Sequence, residues 1–355
     1  MNTHLFSELT IRDVTFRNRI GVSPMCQYSS EDGFANDWHF VHLGSRATGG
    51  AGLVLTEAAA VVPEGRISPQ DLGIWKDEQV EPLARIFRFV ESQGAVPGMQ
   101  LAHAGRKAST AQPWKGGNPL GPDGGGWSPV FGPSALPFDD GYQTPVELDQ
   151  AGIQRVVKAY AEAAGRCLSA GGKVVEIHAA HGYLLNEFLS SASNRRKDEY
   201  GGSFENRIRA LCEVCDAVRK VWPERYPLFV RISATDWIEG GWTVEESVEL
   251  AKVIRSHGVD LIDCSTGGNV AGAKIPTGAG YQVPFADRVR NEGGIATAAV
   301  GMITSPEQAD QIVRNGQSDM VLLAREFLRD PYWPYHTAKQ LRQKMEPPVQ
   351  YGRAL

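Results

Sequence analysis

No apolar run in this sequence is long enough to cross a bilayer. The most apolar stretch, 51–63, is interrupted by Thr56 and Glu57, whereas a spanning helix needs about 20 apolar residues. The N-terminal segment lacks the basic flank and apolar core of an export signal, so none is expected. Excess positive charge is missing too. Forty-one acidic against thirty-six basic residues leave a net charge of -5, so no global field exists to hold nucleic acid or an anionic membrane. Cysteine is scarce: Cys26, Cys167, Cys212, Cys215 and Cys264 are an odd number at irregular spacing. A chain this large needs no disulfide staples, and a reducing cytoplasm is the expected compartment. Cys212 and Cys215 have metal or redox spacing, but they lie inside the amphipathic segment 208–221 without a second pair, which favours buried helical thiols.

What is present is the composition of a globular enzyme, with 42% hydrophobic and 22% charged residues over 355 positions. That length suits two domains or one large barrel. Short β-rich apolar runs recur at 20–25, 52–57, 96–102, 174–178, 228–233, 261–265, 298–302 and 320–324, and helical periodicity separates them. Ile153, Val157, Tyr160, Ala164 and Cys167 share one helical face, as do Leu83, Ile86, Phe87 and Val90. Gly94 and Gly171 stand where these helices should stop. Strands apolar on both faces and alternating with helices predict a parallel sheet covered by helices. Eight such units predict an α/β fold in one domain, a closed (β/α)₈ TIM barrel. The alternative, an open doubly wound sheet, would want a G-x-G-x-x-G turn after its first strand, and none is there.

Two connections are too long for plain loops. Residues 106–145, after the third strand, hold eight glycines and seven prolines together with Trp114, Trp127 and Phe131. A lid insertion at the barrel mouth is expected, a plain surface excursion being the alternative. The segment 184–204 follows the fourth strand on the same face.

Barrel enzymes carry their chemistry at the C-terminal ends of the strands. Here those ends supply Ser23 to Tyr28, Gln100 to His103, Glu176 to Tyr183, Arg231, Gly301, and Ala324 with Arg325. His178 and His181 raise the question of a metal, and Glu176 shares a strand face with His178. No further His-x-His or second carboxylate stands at another strand end, so no metal is assigned. The competing readings are two imidazoles donating to one substrate oxygen, which would polarise a carbonyl, and two satisfied core histidines. Tyr183 is a phenol able to protonate a carbon that has gained electron density. Arg231, ending an apolar strand, calls for an anionic partner. Gly301, Ala324 and Arg325 follow strands seven and eight, where barrels cradle phosphate. Together these point to a phosphorylated cofactor across the mouth.

The runs S-P-M-C-Q-Y at 23–28, Q-L-A-H-A-G-R-K at 100–107, H-A-A-H-G-Y at 178–183 and N-R-R-K-D-E-Y-G-G-S at 194–203 carry a resemblance. Over nearly its whole length the chain resembles the old yellow enzyme family of FMN-dependent ene-reductases, and within it the bacterial, thermophilic-like branch whose first strand ends in cysteine. The resemblance implies non-covalently bound FMN, hydride from NADPH or NADH, and reduction of the C=C bond of α,β-unsaturated carbonyls or other electron-poor alkenes. It implies that Ser23, Pro24, Met25 and Cys26 line the flavin, with Ala58 and Gln100 beside its rings and Arg231 at its pyrimidine edge. Gly301, Ala324 and Arg325 would hold the phosphate. His178 and His181 would bind the carbonyl, Tyr183 would protonate the α-carbon, Tyr28 would shape the substrate side, and Lys107 would support them. Glycine is usual in the family where Ala324 stands here; a backbone N–H donates equally well from either. Relatives of this barrel that carry an iron–sulfur cluster need clustered late cysteines, and none follows Cys264.

The C-terminal residues 346–355 resemble a tail that in this branch reaches a neighbouring subunit. Tyr351 and Arg353 alternate as an extended strand would require to face one way. A homodimer, or a homotetramer of such dimers, is expected, with Arg353 entering the partner's substrate pocket. Two other functions remain open at this point: a metal-dependent hydrolase or lyase on the same barrel, and a flavin-binding redox sensor acting through Cys26.

Overall fold

The computed structural model describes residues 4–354. Eight parallel strands close into a barrel: β1 (Ile20–Val22), β2 (Leu53–Ala60), β3 (Val96–Ala102), β4 (Val174–Ala179), β5 (Leu228–Ser233), β6 (Leu261–Ser265), β7 (Ala296–Ala299) and β8 (Met320–Leu323). Each strand pairs with the next in sequence, and β8 closes on β1 through Val321 to Ile20. The predicted architecture is the observed one.

Helices α1 (Asp37–Thr48), α2 (Val80–Ser92), α3 (Gln150–Ser169), α4 (Phe204–Val221), α5 (Val244–Ile254), α6 (Val283–Gly293) and α7 (Pro306–Arg314) cover the outside. They start where sequence chemistry dictates. Thr243 caps the α5 backbone while Glu246 reaches back to it, and Ser305 caps α7 ahead of Pro306. Their apolar stripes and the outer faces of the strands form the main core. A second cluster fills the barrel, where Leu55, Val174, Phe229 and Leu322 meet Val14 and Phe16 of an N-terminal hairpin. That hairpin, Leu9–Ile11 paired with Val14–Phe16, plugs the end of the barrel opposite the strand C-termini.

Five strands depart from the predicted bounds, two of them, β4 and β8, by a single residue at the end. β1 stops at Val22 rather than 25 because the ladder closes with Ser23 N–H donating to Leu323 O at 2.9 Å, and Pro24 has no N–H to continue it. β7 begins two residues earlier than expected and releases Gly301, whose φ is +118°. β2 continues to Ala60 through a register shift between Leu55 and Ala58, a bulge that breaks strict alternation.

The segment 106–145 folds into short turns and a two-residue strand, Phe131–Gly132, paired with Val146–Glu147. Ala104, Ala108 and Val130 make its own small core, with Trp127 and Tyr183 packed against it. Trp114 is exposed.

Candidate active site

The end of β4 builds the centre. After Ala179 the chain turns sharply, with His181 at φ +61° and Gly182 at φ +73°. A Cβ on Gly182 would lie 2.3 Å from Gly268 O, so the turn requires glycine there. It brings His181 Nδ1 within 3.4 Å of His178 Nε2. Ala180 N–H donates to His178 Nδ1 at 3.2 Å, which leaves His178 its proton on Nε2. His181 Nε2 lies 2.7 Å from Ser265 Oγ. Burial drives both imidazoles well below the usual histidine range, and the Arg231 charge adds to it. Both are neutral at neutral pH; His178 donates from Nε2, and His181 donates from Nδ1 when the Ser265 hydroxyl gives its proton to Nε2.

Tyr183 stands edge-on to His178, ring centroids 5.1 Å apart. Burial raises its phenol well above the ordinary value, with Cys26 and Tyr28 as nearby contributors. The proton therefore stays on the phenol until a stronger base develops beside it. Lys107 Nζ donates to His181 O at 2.9 Å and to Gly268 O at 3.0 Å, tying the histidine turn to the loop after β6. Burial pulls this ammonium down to about 8.

A second set of groups lies deeper and to one side. Ala58 and Gln100 are register partners on β2 and β3. Gln100 Nε2 donates to Glu176 Oε1 at 2.8 Å, and Arg231 Nε lies 3.0 Å from Asp263 Oδ2. A cavity of 290 Å³ runs from Arg231 past Gly301 and Met302 to Ala324, Arg325 and Arg329. The expected phosphate residues thus share one cavity with the expected pyrimidine-edge arginine. A Cβ on Gly301 would approach Gln282 Nε2 to 2.7 Å. Ser23 Oγ is buried without a partner among the described residues. An arginine at each end, a glycine-opened cradle and an orphaned hydroxyl fit an elongated phosphate-bearing ligand, and so fit FMN.

Cys26 and Tyr28 form the third side. Glu57, turned outward by the β2 bulge, accepts from Gln27 N–H at 2.9 Å and pairs with His39 at 3.1 Å. This buried pair holds the loop on which Tyr28 adopts φ +49°. Tyr28 O accepts from Gln112 Nε2 at 3.0 Å, and the Tyr28 ring meets Trp114 edge-on at 5.6 Å, so the segment 106–145 touches the Tyr28 loop. Burial pushes the Cys26 thiol well above its usual value.

Not every predicted residue gathers here. Arg353 is exposed, in a tail whose residues Val349–Tyr351 form a 3₁₀ turn. The extended alternation inferred for Tyr351 and Arg353 is therefore incorrect: the Tyr351 N–H bonds back to Pro348 O at 2.8 Å, which curls the chain. Leu355 lies outside the described residues. Glu57, Ser265, Asp263, Gln282 and Arg329 escaped the sequence reading. Ser265 and Asp263 were within reach, because Ser265 ends the sixth strand and Asp263 shares its face. A larger groove of 940 Å³ lies between α4 and α5, lined by Ile208, Cys212 and Val248, far from any strand end. Among the described residues no three His, Cys, Asp or Glu side chains converge as metal ligands.

Residues 4–344 match the NADH:flavin oxidoreductase / NADH oxidase family. The chain belongs to that family. An NADPH dehydrogenase of Geobacillus sp. (strain WCH70) is 51% identical over 355 residues, covering 99% of both chains. Among solved structures, morphinone reductase superposes with a TM-score of 0.80 at 27% identity, covering 99% of this chain and 93% of that one. A 2-naphthoyl-CoA reductase superposes at 0.86 with 28% identity over 95% of this chain. This chain spans about half of that longer protein, 52% of its length. The old yellow enzyme resemblance is thereby established, and the protein is an FMN-dependent NAD(P)H oxidoreductase. Among the described residues no helix is long and apolar enough to cross a membrane.

Proposed function

We infer that this family member reduces the C=C bond of α,β-unsaturated carbonyls, with the roles divided among the three sides of the site. The convergence of His178 Nε2 and His181 Nδ1 at 3.4 Å carries the reading. Two neutral ring nitrogens so close can serve one carbonyl oxygen, and withdrawing charge onto that oxygen makes the β-carbon electrophilic. When bound, FMN would supply the hydride, drawn from NADPH or NADH. Tyr183 gives the second hydrogen as a proton to the α-carbon. Its raised affinity for that proton suits delivery to a carbanion-like centre and resists loss to water.

Arg231 would meet negative charge at the pyrimidine edge, with Gln100 and Ala58 beside the ring system and Ser23, Pro24, Met25 and Cys26 along it. Gly301, Ala324 and Arg325, which line one cavity, would hold the phosphate. Tyr28 and the 106–145 insertion shape the alkene side, the insertion acting as a lid that excludes water. Arg353 serves a neighbouring subunit in a homodimer or a tetramer of dimers, in the cytoplasm. The sensor alternative needs a thiolate at Cys26, and burial there favours the thiol. We assign Cys26 to tuning the flavin. Metal-dependent hydrolysis lacks a ligand cluster among the described residues.

The test is a single-turnover reaction. FMN released by denaturation identifies the cofactor, and anaerobic addition of 2-cyclohexenone to the NADPH-reduced protein should reoxidise it with one saturated ketone formed per flavin. Release of FAD or no flavin, or reoxidation without cyclohexanone, would overturn the reading.

A further inference from the structure

Four inward side chains make a polar layer across one half of the barrel interior: Gln100 on β3, Glu176 on β4, Arg231 on β5 and Asp263 on β6. Glu176 and Asp263 are fully buried, and Gln100 and Arg231 nearly so. Register places Gln100 beside Glu176, and Arg231 beside Asp263. His178, the next inward residue of β4 above Glu176, is neutral and carries its Nε2 proton. Inward residues on the other four strands, such as Gly21, Leu55, Ala298 and Leu322, carry no charge. The Lys107 ammonium is spent on two backbone carbonyls.

The layer therefore holds two carboxyl groups and one guanidinium. Arg231 faces Asp263 at 3.0 Å, which opposes one charge of each sign, although Arg231 Nε and both Asp263 oxygens lack an aligned hydrogen-bond partner among the described residues. Glu176 has only the Gln100 amide, at 2.8 Å on Oε1, and its Oε2 has no partner among the described residues. A second buried carboxylate with one neutral donor and an unpaired oxygen is strongly disfavoured, and taking up a proton relieves it. We propose that Glu176 is a proton-holding positioning residue. As the neutral acid it orients Gln100 and leaves Arg231 opposed by a single carboxylate; losing its proton couples the flavin's reduction potential to pH.

Both consequences follow from the hydrogen bonds. Because Gln100 gives its Nε2–H to Glu176, its amide oxygen is turned away and kept free to accept from a ligand. Because the layer is neutral while Glu176 keeps its proton, Arg231 retains charge for an anionic reduced flavin. Deprotonation adds a negative charge in a low-dielectric interior, which disfavours that anion and lowers the potential. Burial, with Asp263 next, raises Glu176 to about 8, against the opposing influence of Arg231, so the coupling falls within an accessible range.

The proposal rests on the flavin reading, and two measurements separate them. Glu176→Gln mimics the neutral acid in shape. At pH 6.5 it should bind FMN with native affinity and show the native potential. Between pH 7 and 9.5 the native potential should fall more steeply than that of the variant. Identical pH dependence in both proteins, or a variant potential already raised at pH 6.5, overturns the proposal while leaving the flavin reading intact. A native protein that binds no FMN overturns both. Should the variant fail to fold, the reduced-minus-oxidised infrared difference spectrum of the native holoenzyme decides. A neutral carboxylic-acid carbonyl band perturbed by reduction at pH 6.5 and lost at pH 9.5 is expected, and its absence refutes the assignment.

Discussion

His178 Nε2 and His181 Nδ1 lie 3.4 Å apart, while the other nitrogen of each ring is engaged, by Ala180 N–H and by Ser265 Oγ. Neither ring can turn its second nitrogen inward without breaking a buried hydrogen bond. An oxygen placed between them gains two donors, and hydrogen bonds to a charged group are worth about 1.5–3 kcal/mol each. His178→Ala or His181→Ala should therefore weaken p-chlorophenolate binding by about tenfold to a hundredfold, read from the long-wavelength charge-transfer band. A double variant with native affinity would remove the anion-binding role.

Tyr183→Phe should slow alkene reduction by about 10²- to 10⁴-fold, the usual worth of a positioned general acid. Reduction of the flavin by NADPH should change far less. Stopped-flow measurement of the two half-reactions distinguishes a proton donor from a residue that merely supports the fold, since the latter would slow both.

Stability should decline as pH rises from about 6.5 to 8. Burial raises Asp71 to about 7 and Glu187 and Glu176 to about 8, so the folded protein keeps protons that these groups have already released in the unfolded chain, where carboxyls titrate near 4. More protons on the folded side means that unfolding free energy falls with pH across this window. Urea midpoints at pH 6.5 and 8 should show the drop, and Glu187→Gln should make it shallower. A midpoint that rises through this range would contradict the assignment.

Deleting residues 350–355 should raise the apparent KM for cyclic enones and loosen the assembly seen by light scattering, if Arg353 completes a neighbour's pocket. Unchanged mass and kinetics would leave the tail solvated. The curled backbone at Tyr351 makes the arm shorter than an extended strand would be, so a neighbour served by Arg353 would have to lie close.

The barrel was readable because short apolar runs alternate with segments of helical periodicity, and the histidine pair because one member stands at the end of such a run and the other three residues on. Glu57 was hidden by the β2 bulge: counting by twos from Leu55 puts residue 57 inside the barrel, and only the register shift turns it outward to His39. Strand bounds slipped at Pro24 and Gly301 for equally local reasons, a missing N–H and a left-handed backbone. Asp263 looked like an ordinary strand residue because its importance comes from a partner thirty-two positions away, Arg231. The tail misled because alternation of two side chains over three residues fits a turn as readily as a strand.

The Phe16 plug has a kinetic consequence. With Val14 and Phe16 packed among Leu55, Phe229 and Leu322, nothing the size of a nicotinamide can enter from below, and every reactant must share the one mouth over the strand ends. The electron donor and the acceptor are therefore expected to compete for the same doorway. Turnover would then be an alternation of visits, and a large excess of either visitor should slow the other.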